Sequence, residues 1–164
     1  MQVAIVGLGL MGGSLGLALR ERAGAHVVGF DLSPDEAAIA LERGCADRVA
    51  GSLAEACADA DLIVIATPVS AIPEAVAEAA AASPTATITD VGSTKGNVVA
   101  AVPAQARGRF VGGHPMCGAE AHGAAHARPE LFQGATWFLT PTDDSDAGSE
   151  EHTSELQSRG LISY

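Results

Sequence analysis

Gln2-Val3-Ala4-Ile5-Val6 runs straight into Gly7-Leu8-Gly9-Leu10-Met11-Gly12. The first five residues form a compact apolar run that reads as a buried strand. The next six spell G-x-G-x-x-G, and Leu15, Ala18 and Leu19 follow at helical spacing. A glycine fingerprint between a strand and a helix is the context that gives this motif meaning. Gly7 permits a tight turn, Gly9 lets the backbone approach a pyrophosphate, and Gly12 lets the helix pack close on the strand. The free N–H groups of Leu10 and Met11 at the helix start then face phosphate oxygens. A second strand, His26 to Phe30, ends in Asp31. That is the expected place for a carboxylate that binds a ribose. Gly7, Gly9, Leu10, Met11, Gly12 and Asp31 are therefore the expected dinucleotide contacts.

Outward from this start the chain alternates strand and helix signals. Ser33-Pro34 caps and starts a helix through about Arg43, which Gly44 ends. Ser52 to Ala58 is a short helix. Leu62 to Ala66 is a buried strand closed by Thr67-Pro68, a further pair of expected cofactor contacts. Val69 to Ala82 is an alanine-rich helix, broken by Ser83-Pro84 before a strand at Ala86 to Thr89. Gly96 to Ala106 is helical in composition despite Pro103, Phe110 to Gly112 is a short strand, and Trp137 to Thr140 is the last. The pattern predicts an α/β fold, a doubly wound parallel sheet of the Rossmann type.

Charge and composition narrow the field. The 164 residues carry nine Lys+Arg against twenty Asp+Glu, a formal charge of −11. That disfavours nucleic acid and anionic membrane surfaces as partners. No apolar run approaches a membrane span, and the amino terminus begins inside the first strand, with no room for a signal peptide. Cys45, Cys57 and Cys117 are odd in number and lack C-x-x-C spacing, so free thiols in a reducing cytoplasm are expected.

The richest chemistry lies between Asp90 and Glu120. Asp90-Val91-Gly92-Ser93-Thr94-Lys95-Gly96 follows one apolar run, and Gly112-Gly113-His114-Pro115-Met116-Cys117-Gly118-Ala119-Glu120 follows another. Ser93 and His114 each come where a strand ends and a loop begins. In an open α/β sheet the ligand lies beyond those carboxyl ends, so a serine and a histidine meet there as a proton-handling pair. Ser93 reads equally as a helix N-cap, and His114 as a loop histidine that caps backbone groups. His114, Cys117, His122 and His126 also have metal-like spacing, but the first belongs to the strand-end motif and no metal is expected.

From Thr142 the sequence turns polar and acidic, and Ser149 to Tyr164 has no apolar period. Ser149 to Ser158 resembles a sequencing-library adapter translated in frame. The expected division is a dinucleotide-binding domain over residues 1–148 and a non-native tail over 149–164. A natural polar linker is the other reading of that tail.

Taken together, the chain resembles the prephenate and arogenate dehydrogenase family of tyrosine biosynthesis over roughly residues 3–141. The marks are Gly7 to Ser14, Asp90 to Lys95, Gly113 to Gly118, and Leu131-Phe132-Gln133-Gly134 leading to Leu139-Thr140-Pro141. The resemblance implies a cytoplasmic NAD-dependent oxidoreductase acting on a small molecule, prephenate or arogenate. It implies that His114 takes a hydrogen bond from the ring hydroxyl and favours its deprotonation. Ser93 would orient that histidine and approach the nicotinamide. Family members carry a further helical domain that dimerises and supplies an arginine for the substrate carboxylate, and the resemblance implies that this domain is missing here.

There are departures. Ala119 stands where a hydroxyl is frequent, and Cys117 where a smaller residue is common. Glu120 matches an acidic position that gates the site in some members, and it also reads as an exposed loop carboxylate. Two other functions stay open: a stand-alone NAD-binding or sensor module, which needs only Gly7 to Gly12 and Asp31, and another 3-hydroxyacid dehydrogenase-like oxidoreductase. The latter group relies on a lysine, and Lys95, the only lysine, precedes a helix rather than sitting within it.

Overall fold

The structure is a computed structural model, and it describes residues 1–142. The expected boundary at residue 148 and the tail over 149–164 lie outside the described residues. Strand β1 (Gln2–Val6) leads into helix α1 (Leu10–Ala23), and β2 (His26–Phe30) into α2 (Pro34–Glu42). Next come β3 (Arg48–Val49), α3 (Leu53–Cys57) and β4 (Leu62–Ile65). A 3₁₀ turn at Val69–Ala71 opens α4 (Ile72–Ala82), and β5 (Thr87–Asp90) follows. The chain continues through α5 (Gly96–Ala101), α6 (Ala104–Arg107), β6 (Phe110–Pro115), two 3₁₀ turns at Ala124–His126 and Pro129–Phe132, and β7 (Trp137–Pro141).

The strands form one sheet in the order β3-β2-β1-β4-β5-β6-β7. All pairs are parallel except β6 with β7. Side chains on β1 alternate faces, as strand geometry requires. Val3 and Ile5 enter a core with α1, α2 and the 124–132 turns. Ala4 and Val6 enter a second core with α3, α4, α5 and α6. Both faces of the sheet are thus covered, which is why the strands read as unbroken apolar runs rather than alternating ones.

Local chemistry sets the element ends. Ser33 Oγ accepts from the Glu36 N–H at 3.3 Å and starts α2, and Ser52 Oγ accepts from the Glu55 N–H at 3.1 Å and starts α3. Gly24, with φ +60°, ends α1 in the left-handed conformation. The helix expected over 96–106 is two helices. Pro103 has no N–H to give, and Val102 ahead of it is extended, with ψ 124°.

The expected doubly wound, Rossmann-type sheet is present, with one antiparallel edge strand, and one strand boundary is corrected. The sheet is not wholly parallel: β7 returns beside β6 through 3₁₀ turns and needs no crossover helix. And β6 runs on to Pro115, past the expected end at Gly112, because β7 pairs with all of residues 111–115. His114 is therefore a strand residue opposite Phe138, not the first of a loop. The two-residue β3 is too short to leave a period in the sequence.

Candidate active site

Strand β1 lies between β2 and β4, so the chain leaves β1 toward one side of the sheet and later returns to its other side. A crevice opens beyond the carboxyl ends at such a reversal. Two adjoining cavities, of about 650 and 450 Å³, lie there and share Gly9, Ala66, Thr67 and Pro68 in their walls.

The first cavity is built from the glycine loop and the end of β2. Gly7 has φ +94°, and a Cβ there would stand 2.7 Å from the Ala66 carbonyl oxygen. At Gly12 a Cβ would come within 1.8 Å of the Gly7 carbonyl oxygen. At Gly9 it would meet nothing within 4 Å. Two glycines are thus required by the fold itself, and the third faces open space where a ligand can approach. Gly9 is the N-cap of α1, offers no side-chain hydrogen bond, and no acidic residue follows in the first turn. The first N–H groups of the helix and its positive end are free for an anion. Asp31 lines the same cavity. Its Oδ2 accepts from the Leu8 N–H at 2.7 Å and its Oδ1 from the Ser33 N–H at 2.8 Å. The carboxylate is thereby clamped to the glycine loop on one side and to the start of α2 on the other. No lysine or arginine lines this cavity among the described residues.

The second cavity holds Ser93 and His114 in one wall system with Leu10, Met11, Thr67 and Pro68. Ser93 is exposed, and the N-cap of α5 is Lys95, so Ser93 is not the helix cap. No hydrogen bond joins Ser93 to His114 in this arrangement of the described residues. The Thr67 Oγ1, on the seam between the cavities, is buried without a hydrogen-bond partner. An orphaned buried hydroxyl beside a tight glycine turn fits a polar ligand crossing that seam. Glu120 is exposed and lines neither cavity. Burial raises the pKa of the Cys117 thiol, so it is a packed thiol rather than a nucleophile. Among the described residues, no group of three or more His, Cys, Asp or Glu side chains could hold a metal ion. No described helix is long and apolar enough to cross a membrane.

Sequence patterns alone do not reveal what holds the second cavity together. Asp90, fully buried at the end of β5, accepts from the Gly92 N–H at 2.9 Å and from the Gly113 N–H at 3.1 Å. It also forms an ion pair with the Lys95 ammonium. One carboxylate therefore ties the Ser93 loop to the strand that carries His114. Burial draws the Lys95 pKa below its ordinary value, with Asp90 opposing that shift. Breaking such a pair leaves an uncompensated buried charge, at a cost of about 3–5 kcal/mol. The spacing of Asp90 and Lys95 is visible in the sequence, but the closure of Asp90 onto Gly113 depends on β5 and β6 being neighbours.

The model of the family described as prephenate dehydrogenase, nucleotide-binding domain, matches residues 15–157. The chain belongs to this family. Prephenate dehydrogenase of Bacillus subtilis (strain 168) is 38% identical over 159 residues, which cover 94% of this chain and 43% of that protein. The crystal structure of Synechocystis arogenate dehydrogenase superposes with a TM-score of 0.91 at 30% identity, covering 99% of this chain and 58% of that one. Prephenate dehydrogenase from Aquifex aeolicus, in complex with hydroxyphenyl propionate and NAD+, gives a TM-score of 0.90 at 30% identity, with 99% and 57% covered. The chain spans about two fifths of the length of the curated relatives it matches.

Proposed function

We propose that this chain is the NAD-binding domain of an enzyme that oxidatively decarboxylates prephenate to 4-hydroxyphenylpyruvate, or arogenate to tyrosine. The observation that carries the reading is the continuity of the two cavities. The Gly7–Gly12 loop with Asp31 occupies one, Ser93 with His114 the other, and Thr67-Pro68 lies on the seam. The coenzyme, when bound, supplies the hydride acceptor. The Asp31 oxygens accept the ribose hydroxyls, and the N–H groups at the start of α1 meet the pyrophosphate. His114 accepts the proton of the ring hydroxyl as the hydride leaves the same carbon. Ser93, on the loop tied to the β6 strand by Asp90, keeps the imidazole and the ring in register. Loss of the ring carboxylate as carbon dioxide leaves an aromatic product.

Among the described residues, no arginine or lysine lines the second cavity. The substrate carboxylates therefore take their cation from the region that the longer relatives have and this chain does not span. On this reading the 164-residue chain binds coenzyme but does not turn over substrate, and the full-length enzyme works in the cytoplasm as a homodimer. We read residues 1–148 as the domain and 149–164 as a foreign tail. The family match reaches residue 157, and the genomic DNA beyond codon 148 decides between that tail and a natural continuation.

Calorimetry with NAD and NADP tests the coenzyme assignment. NAD binds at least about tenfold more tightly, because the Asp31 carboxylate repels a 2′-phosphate and no cation lines the cavity to offset it. Comparable affinity for the two would contradict it.

A further inference from the structure

One wall of the second cavity, which His114 also lines, is formed by Cys117 to Gly123, all but Glu120, in the segment that leaves β6. It has no regular secondary structure of its own until the 3₁₀ turn at Ala124–His126. A loop of this kind takes its shape from whatever fastens its far end. Here that far end is packed into the core at Ala124 and is held at its first N–H by a carboxylate on another element. Glu36 Oε2, on the first turn of α2, accepts from the Ala124 N–H at 2.6 Å across 88 residues of sequence. Gly123 before it has φ +83°, and a Cβ there would stand 2.9 Å from Glu36 Oε1. The backbone angle requires the glycine, and a side chain there would push the carboxylate off the Ala124 N–H.

Two further contacts carry the segment onward. Arg43, at the end of α2, donates to the Ala127 carbonyl at 2.8 Å, and the Arg128 N–H donates to the buried Ser14 hydroxyl at 2.9 Å. These lie beyond the 3₁₀ turn and hold its exit. Glu36 holds its entry, where the cavity wall begins. The same first turn of α2 is capped by Ser33, whose own N–H is held by Asp31. The ribose carboxylate and the wall of the reaction cavity are thus joined by a chain of hydrogen bonds through the start of α2: Asp31 to Ser33, Ser33 to Glu36, and Glu36 to Ala124.

We propose that Glu36 is a positioning residue that holds the 117–123 wall over the His114 cavity, and so sets affinity for whatever enters that cavity without contributing to the adenosine end. The inference rests on the coenzyme reading above. It assigns the nicotinamide half of the dinucleotide, and the ring substrate after it, to a cavity with one wall held from α2. A charged acceptor on a backbone N–H is among the stronger hydrogen bonds. Removing it leaves the Ala124 N–H, on a buried residue, without its partner.

The test compares two ligands on the purified 164-residue chain. ADP-ribose reaches the glycine loop and Asp31 but has no nicotinamide, whereas NAD fills both cavities. In Glu36→Ala, NAD affinity falls about five- to tenfold and ADP-ribose affinity stays within about twofold of wild type, the scale of one hydrogen bond. Glu36→Gln, which keeps an acceptor for Ala124, restores most of the loss. Amide exchange at Ala124 and across 117–123 quickens in the alanine variant while exchange in β1 and β4 is unchanged. Equal loss for both ligands would overturn the proposal and make Glu36 a support of α2 alone. No loss for either would overturn it as well. Failure of the wild-type chain to bind ADP-ribose would instead remove the coenzyme reading, which separates the two failures.

Discussion

The two cavities are built by different means. In the first, backbone does almost everything: two glycines fit spaces that admit no Cβ, a third leaves a gap for the ligand, and one carboxylate is clamped by neighbouring N–H groups. The glycines and the carboxylate lie within about thirty residues of sequence, and residues from α3, the end of β4 and α4 complete the walls. The second is assembled from β4, β5, β6 and the loop after β6, and is held by long-range links through Asp90 and Glu36. It contains His114 but no lysine or arginine among the described residues. The difference teaches that the glycine-loop end of the crevice rests mainly on local backbone geometry, while the cavity beside it depends on contacts between elements far apart in the chain. On the proposed function, repulsion from a 2′-phosphate belongs to the first cavity and proton transfer to the second.

The largest expected effect breaks the second cavity and spares the first. In an enzyme extended by the region its relatives carry, His114→Asn lowers kcat by about two to four orders of magnitude, the usual scale for a general base. NAD affinity changes far less than turnover, because the phosphates and the ribose that meets Asp31 are bound in the first cavity. Steady-state kinetics beside calorimetry check this, and turnover near wild type would remove the catalytic assignment.

The next effect divides the first cavity into what the fold needs and what the ligand needs. Gly12→Ala drives a Cβ into the Gly7 carbonyl and costs about 3 kcal/mol or more, since neither backbone can yield cheaply. Its melting temperature falls sharply and coenzyme binding goes with it. Gly9→Ala meets no atom of the protein. It changes stability by no more than about 1 kcal/mol, the loss of a good N-cap residue, yet lowers NAD affinity about tenfold or more by standing in the pyrophosphate's path. If both variants melt alike, the distinction between the two glycines is wrong.

The same glycines mark how far a local pattern carries. Gly7 to Gly12, Asp31 and the strands around them are legible in the sequence, and the fold places each where its spacing requires. Ser33 and Ser52 announce their helices by capping them. Other features turn on which elements lie side by side. The antiparallel β7 cannot be told from a parallel strand by its apolar run. The reach of Asp90 to Gly113 needs β5 and β6 as neighbours, and the reach of Glu36 to Ala124 needs α2 against the 124–126 turn. Pro103 is the exception, a local signal that outweighs the helical composition around it and splits the helix.

The smallest effect lies outside both cavities and separates stability from binding. Burial raises the Asp47 carboxyl, but the Val27 N–H at 2.7 Å, the Arg20 guanidinium and the His26 ring at 3.3 Å outweigh it and hold the pKa below its ordinary value of 3.8. A carboxyl held lower in the folded chain adds stability above its ordinary pKa and loses it as pH falls through the lowered one. Below about pH 4 the melting temperature of wild type therefore drops more steeply than that of Asp47→Asn. NAD affinity at neutral pH is the same for both. Parallel curves throughout would show that the contact carries no pH-dependent stability.

The contrast between a finished site and an unfinished one is tested most directly on the chain as it stands. Purified 164-residue protein is titrated with NAD in a calorimeter and then assayed for NADH formation with prephenate and with arogenate at saturating coenzyme. The account predicts saturable binding of one NAD per chain and no NADH above background with either substrate. Measurable turnover would show that the second cavity is complete without further sequence, and absence of NAD binding would show that the first is not.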